Sequence, residues 1–328
     1  MKALRNYGIR DIKVEYIEQP ILHKNEALIK VLYAGICGSD LHIYRKGMFV
    51  KHLPETMGHE FVGQIADIEP NSEFSVGDIV VGDPRVYCMT CLPCKEGDFQ
   101  CCENLSFIGE AVPGCFAEYL TIPINKLIKV KQSHQLEELA LSEPLAVALH
   151  VLKQTDIHQD DHIVIFGAGT IGMLILLLLK QVFQVHSVTV VDISEDRLKY
   201  CSQLGADQTL NQVEGQETFD KAIETSGVGV CYNTALQVLK AKGTMLVVAL
   251  YEDELTIDVN PIIYKELNII GSSAYTFNEL KQACQLIDKN HINIKPLITQ
   301  IIHVEDGPEI FESLMLPIKN DVKILFEF

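Results

Sequence analysis

The feature that most constrains this chain is a glycine-rich turn placed between a strand-like run and a helix-like run. Ile163-Val-Ile-Phe166 is a short apolar stretch of the kind that fills a buried parallel strand. Gly167-Ala168-Gly169-Thr170-Ile171-Gly172 follows it, and a helix-like segment continues to Val182. In a G-x-G-x-x-G turn the first glycine permits the tight bend and the second lets a pyrophosphate approach the backbone. The third lets the helix pack closely on the strand. The helix N-terminus then offers free N–H groups and the positive end of its dipole to phosphate. Alone the motif is weak; its position between strand and helix gives it force. A second run, Val188-Thr-Val-Val191, ends at Asp192, about 20 residues past the turn, the interval expected for a ribose-binding acid. An acid there accepts from ribose hydroxyls and repels a 2′-phosphate, which favours NAD over NADP. Gly167, Gly169, Thr170, Ile171, Gly172, Asp192 and Arg197 form the expected cofactor-binding set. Arg197 is expected to face outward on its helix.

Three zones surround this turn. Residues 1–146 read as short strands broken by Gly and Pro, with Val14, Tyr16, Leu28, Lys30 and Leu32 in alternating runs. Residues 147–273 alternate strands and helices, the pattern of parallel βαβ units. After the two strands above come a helix over residues 195–204, a strand at Ala222-Ile223, a helix over 232–239 and a strand over 245–250. Residues 274–328 carry Leu280, Ala283, Cys284 and Ile287 at the spacing of an amphipathic helix, then a strand-like tail from Val322. The βαβ block thus reads as an insert between two flanking parts of one other domain.

Cysteine usage is the next constraint. There are ten in 328 residues, and five lie between Cys88 and Cys102. A chain this long needs no disulfide staples, so tight clustering points to metal. Cys88-x2-Cys91-x2-Cys94-x7-Cys102 supplies four thiolates for a closed, tetrahedral structural zinc in a lobe over about residues 84–105. Spacing alone leaves Cys101 and Cys102 competing for the fourth place, and an iron–sulfur cluster is the competing metal.

A second set of donors is dispersed. Cys37 lies in Gly35-Ile-Cys-Gly-Ser-Asp-Leu-His42, His59 in Gly58-His-Glu60, and Glu143 in Ser142-Glu-Pro144. A cysteine, a histidine and a carboxylate from three distant segments can hold a zinc while leaving a fourth position open, the mark of a catalytic ion. Taken singly, Cys37 and His59 would each more often be ordinary buried residues.

These segments, in this order, resemble the zinc-containing medium-chain alcohol/polyol dehydrogenase family over nearly the whole chain. The resemblance implies a Rossmann doubly wound parallel sheet inserted in a GroES-like irregular β-barrel catalytic domain. It implies two zinc ions, with Cys37, His59 and Glu143 on the catalytic one and Glu60 as an alternative ligand. Asp40 would orient the zinc-binding histidine, Ser39 and His42 would relay the proton, and Cys102 would be the fourth structural cysteine. The implied reaction is NAD-dependent oxidation of a secondary alcohol in a polyol, sugar acid or vicinal diol, with butanediol- or L-threonine-type activity as the alternative. Non-catalytic or zinc-free quinone-reductase relatives lack both cysteine sets, which this chain keeps. Family members are homodimers or homotetramers, and the edge strand near residues 267–271 is the expected contact.

Three departures stand out. Ile43, not Tyr, follows the relay histidine, with Tyr44 one place later. Gly271-Ser-Ser-Ala-Tyr275 has no arginine where sorbitol-type members carry one, which argues against sorbitol itself. Cys115 stands where glycine is usual. The formal charge of −17 argues against nucleic acid and anionic membrane as partners and disfavours strongly anionic substrates unless the pocket is locally basic. No secretory signal is visible at Met1-Lys-Ala-Leu-Arg5, and the expected compartment is the cytoplasm.

Overall fold

A computed structural model describes residues 1–70, 73–131, 136–213, 218–316 and 321–328. The chain divides into two units, one of Met1–Glu143, Thr276–Asn290 and Lys295–Phe328, the other of Pro144–Tyr275 and His291–Ile294. Among the described residues no helix is long and apolar enough to cross a membrane.

The first unit is built on the long strand Glu26–Gly35, whose successive parts take different partners. Its Glu26–Lys30 portion pairs with Tyr119–Pro123, its Tyr33–Gly35 portion with Lys323–Glu327, and Glu60–Ile68 runs antiparallel along its other edge. Two register breaks, at Leu28/Ile29 and Val31/Tyr33, let one strand bend across these partners. Strands Ile79–Gly82 and Leu127–Lys129 extend the sheet on one side, and Ile298–His303 extends it on the other. The enclosed core contains Leu4, Ile29, Val31, Phe61, Phe116, Phe311 and Phe326. Phe116 makes edge-to-face contact with Phe326 at 4.9 Å and Phe311 at 6.5 Å. Each such ring contributes roughly 1.5–3 kcal/mol by burial alone. The helix Phe277–Asp288 buries Leu280, Ala283, Cys284 and Ile287, the spacing read from the sequence. It starts at Thr276, whose hydroxyl accepts from the Glu279 N–H while the Glu279 carboxylate reaches back to the Thr276 N–H.

The second unit is a six-stranded, wholly parallel sheet in the order Gln208–Leu210, Ser187–Val191, His162–Phe166, Phe219–Glu224, Leu239–Val247, Asn268–Gly271. The chain starts in the middle and winds outward in both directions, so the C-terminal end of His162–Phe166 is a switch point where a ligand fits. That strand is apolar throughout Ile163–Phe166 because both its faces are covered. Helix Thr170–Leu177 is buried along Gly172–Leu177, and its continuation, Leu178–Val182, is a π-helical turn. Strand Gln208–Leu210 carries too little apolar pattern to be read from sequence. Pairing with Ser187–Val191 and the Asp207 carboxylate, which accepts the Val188 N–H at 2.8 Å, hold it.

Candidate functional site

Three segments of the first unit converge. Strand Glu26–Gly35 leads through Ile36 to Cys37, which caps helix Gly38–Lys46. The Cys37 N–H donates to Asp40 Oδ2 at 2.8 Å, so a first-turn carboxylate fixes the backbone that carries the thiol. Gly58 and His59 lead into strand Glu60–Ile68, where Glu60 stands opposite Gly35. A Cβ on Gly35 would lie 2.2 Å from Glu60 Oε2, and one on Gly58 would lie 2.3 Å from the Phe116 ring. Only glycine leaves room at either place. The result is that one donor atom each from Cys37, His59 and Glu60 lies within 4.8 Å of the others. Glu143 falls outside that group. It is buried at the start of helix Ser142–Lys153, near enough for its charge to act on His59 and Lys323.

Lys323 was not read from the sequence. Its Nζ donates to both Glu60 oxygens, at 2.7 and 2.9 Å, and to the Ile36 carbonyl at 2.8 Å. Both partners are buried, at 1% and 0% exposure. Burial opposes the charge on Lys323, yet Glu60 beside it raises its pKa. The signal available was a lone lysine opening an apolar run, Lys323-Ile-Leu-Phe326.

Burial also opposes protonation of His59, but Cys37, Asp40 and Glu143 carry it well above its ordinary value. Asp40 is pushed up to about 6 by its own burial, against the pull of His59 and the Cys37 N–H. Asp40 Oδ1 and Ser39 Oγ are shielded from solvent, with no hydrogen-bond partner among the described residues. A pocket with concentrated negative charge and a cysteine, histidine and carboxylate donor set fits zinc. Ser39 and His42 lie three apart on one helix, hence on one face. His42 Nδ1 is 3.3 Å from the Arg45 guanidinium. Tyr44 does not stand in for the missing tyrosine: it is buried against Phe311 at 5.4 Å and its hydroxyl bonds Glu312.

The second cysteine set gathers Cys88, Cys91, Cys94 and Cys102, whose sulfurs all lie within 4.8 Å. Cys102 is buried there, while Cys101 is exposed and outside the group. Sulfur separations of 3.6 Å (Cys88–Cys102) and 3.9 Å (Cys91–Cys102) are far from a bonded pair. The Thr90 hydroxyl and the N–H groups of Thr90 and Cys91 draw Cys88 down to about 5, whereas burial and the neighbouring thiols push Cys94 up to about 12. Four thiols this close share a cation readily, and the S4 set fits a closed zinc site.

In the second unit the three glycines differ in what surrounds them. Gly167 has φ +103°, and a Cβ there would lie 2.7 Å from Thr225 Oγ1. That hydroxyl donates to the carbonyls of Phe166 and Gly167, at 2.9 and 3.0 Å, and so pins the turn. A Cβ on Gly172 would lie 2.0 Å from the Gly167 carbonyl oxygen, whereas one on Gly169 meets nothing within 4 Å. Gly172→Ala is therefore expected to destabilise the protein by about 1–3 kcal/mol through overpacking. Gly169→Ala should leave the melting temperature unchanged and weaken NADH binding, which thermal unfolding and cofactor titration would separate. Equal melting losses for both would sink this division of roles. Asp192 Oδ2 accepts the Ala168 N–H at 2.7 Å and Oδ1 the Ser194 N–H at 2.8 Å, which ties the strand-end acid to the turn. Thr170 and Ile171 are half-buried in the first helical turn. Arg197 is half-buried too, not outward as expected; its charge acts on the buried Cys201, one turn further along the same helix.

Comparison with known proteins fits this geometry. Residues 23–132 match the family described as Alcohol dehydrogenase GroES-like domain, and residues 170–289 match Zinc-binding dehydrogenase. The protein named "Probable D-xylulose reductase A" of Emericella nidulans is 33% identical, covering 94% of this chain and 91% of that one. Among solved structures, 2R,3R-butanediol dehydrogenase from Bacillus subtilis is similar at TM-score 0.91 and 30% identity, covering 100% and 99% of the two chains. L-idonate 5-dehydrogenase from Escherichia coli is similar at TM-score 0.91 and 27% identity, covering 100% and 98%.

Proposed function

The chain belongs to the zinc-binding alcohol dehydrogenase family, and from that premise we propose that it oxidises a secondary alcohol of a polyol-like substrate to a ketone. The balanced reaction is secondary alcohol + NAD⁺ → ketone + NADH + H⁺. The convergence of Cys37, His59 and Glu60 carries this reading. Zinc bound there would act as a Lewis acid, lowering the pKa of a hydroxyl toward roughly 7 as it does for water. Cys37 and His59 would hold it, with Glu60 and Glu143 as the carboxylates able to complete the set. Ser39 Oγ, lacking a protein partner, is suited to take the hydroxyl proton, and His42 on the same face is suited to pass it on. A second zinc would be held by Cys88, Cys91, Cys94 and Cys102, so metal analysis should return two zinc per chain.

A panel of polyols, butanediols, sugar acids and L-threonine, scored by NADH formation, tests the activity. Failure of every secondary alcohol in zinc-loaded protein would overturn it. NAD preference is supported by the Asp192 carboxylate beside the turn. Asp192→Gly should raise the NADP/NAD ratio of kcat/KM by roughly tenfold or more, the scale of relieving a like-charge contact. An unchanged ratio would remove that support. Among the described residues strand Asn268–Gly271 pairs on one side only, and it follows the exposed Ile263 and Tyr264, which supports a homo-oligomer formed through this edge. Light scattering would read its order. Free cysteines throughout the chain suit the reducing cytoplasm.

A further inference from the structure

Glu224 is fully buried, and the chemistry above does not use it. It closes strand Phe219–Glu224 and lies in register beside Phe166, the residue that precedes the glycine-rich turn. It therefore borders the switch point of the sheet, where a ligand fits. Its carboxylate gathers donors from two loops that leave neighbouring strand ends. Oε1 accepts the N–H groups of Ser226 and Gly227, at 2.8 and 3.2 Å, and also the Ser226 hydroxyl. Oε2 accepts the Tyr251 hydroxyl at 2.5 Å. The two loops also touch each other. Gly227 has φ +70°, and a Cβ there would lie 2.8 Å from the Leu250 carbonyl oxygen.

The first of these loops is the wall on which the glycine-rich turn packs. A Cβ on Gly167 would meet Thr225 Oγ1 at 2.7 Å and the Ser226 nitrogen at 3.0 Å. Ser226 Oγ in turn accepts the Val228 N–H at 3.2 Å, which carries the hold to the start of helix Gly229–Val238. Tyr251 is half-buried, edge-on to Tyr232 at 6.2 Å. Burial and the adjacent Glu224 carboxylate raise its pKa, so the hydroxyl keeps its proton and remains a donor. Hydrogen bonds to a carboxylate are among the strong ones. Strand Phe219–Glu224 is paired along both sides, so its own place does not depend on this carboxylate. The places of the two loops do.

We propose that Glu224 is a positioning residue for the nicotinamide cofactor and that Tyr251 acts with it. The carboxylate holds Thr225–Gly227 against the glycine-rich turn before the cofactor arrives, so little ordering is left for the binding step. This rests on the dehydrogenase reading, with the cofactor at that turn, and extends it to two residues that act through the turn. Where the competent arrangement is only a fraction of the population, apparent affinity falls by that fraction.

Fluorescence titration with NADH, beside thermal unfolding of the cofactor-free protein, tests this. Tyr251→Phe removes one hydroxyl and keeps the ring. It should raise the Kd for NADH roughly tenfold, as when the ordered arrangement falls to about a tenth of the population, with little change in melting temperature. Glu224→Gln should raise the Kd further, and Tyr251→Phe decides the matter if Glu224→Gln does not fold. In either variant KM for NAD should rise while kcat at saturating NAD does not fall, because bound cofactor has already ordered the loops. A lowered melting temperature with an unchanged Kd would mean a role in stability alone and overturns the inference. Weakened NADH binding in both variants, with no alcohol oxidised by the wild-type protein, would support the inference while sinking the dehydrogenase reading. Alcohol oxidation by the wild-type protein, with wild-type Kd in Tyr251→Phe, would sink the inference alone.

Discussion

Cys37→Ser is expected to lower zinc content from two ions per chain to one and to cut kcat/KM for alcohol oxidation by roughly 10³-fold or more. Lewis-acid stabilisation of developing charge is worth several kcal/mol, and each ~1.4 kcal/mol is tenfold in rate. The thiol is one of three donors that converge within 4.8 Å, and a serine hydroxyl is a harder, protonated and weaker zinc ligand. The informative control is Cys88→Ser. It should also reduce zinc to one ion, but its main effect should fall on thermal stability, because a metal shared by the four thiols would crosslink that lobe. Full zinc content with wild-type turnover in Cys37→Ser would remove this cluster as the catalytic centre.

Lys323→Met should destabilise the metal-free protein by about 3–5 kcal/mol, because it leaves the Glu60 carboxylate without its cation in a fully buried place. For a chain of this size the melting temperature should fall by roughly 10 °C. The double variant Lys323→Met/Glu60→Met should recover most of the loss, since a buried ion pair often costs little to replace as a whole while half of one costs a great deal. If the single variant melts with the wild-type protein, the pair does not hold the site as described. If the double variant melts lower than the single one, Glu60 stabilises through something other than Lys323.

What could be read from sequence was local. The division of labour among Gly167, Gly169 and Gly172 follows from a motif whose geometry is set within six residues, and the structure shows a different neighbourhood at each. The helix at Leu280–Ile287 followed from its apolar spacing. The cysteine lobe was legible as a cluster, although spacing could not choose between Cys101 and Cys102; one is turned to solvent and the other inward. Lys323 was not legible. Lys323 gains its meaning from Glu60, a partner brought beside it by sheet pairing. Arg197 was misplaced for the same reason. Helical position suggested an outward side chain, but it is half-buried, one turn from the buried Cys201 of its own helix.

The wide separation of Glu60 and Lys323 along the chain bears on how the protein is made. The four lobe thiols are encoded within residues 88–102, so all are available to a metal soon after they leave the ribosome. The Cys37 cluster lacks the ammonium that balances Glu60 until strand Lys323–Glu327 is synthesised, after the whole inserted nucleotide-binding unit. Domains tend to fold as units in order of synthesis, so that inserted unit is complete before the flanking one can close. The two clusters would accordingly become able to bind metal at different stages of biogenesis, with the Cys37 cluster last.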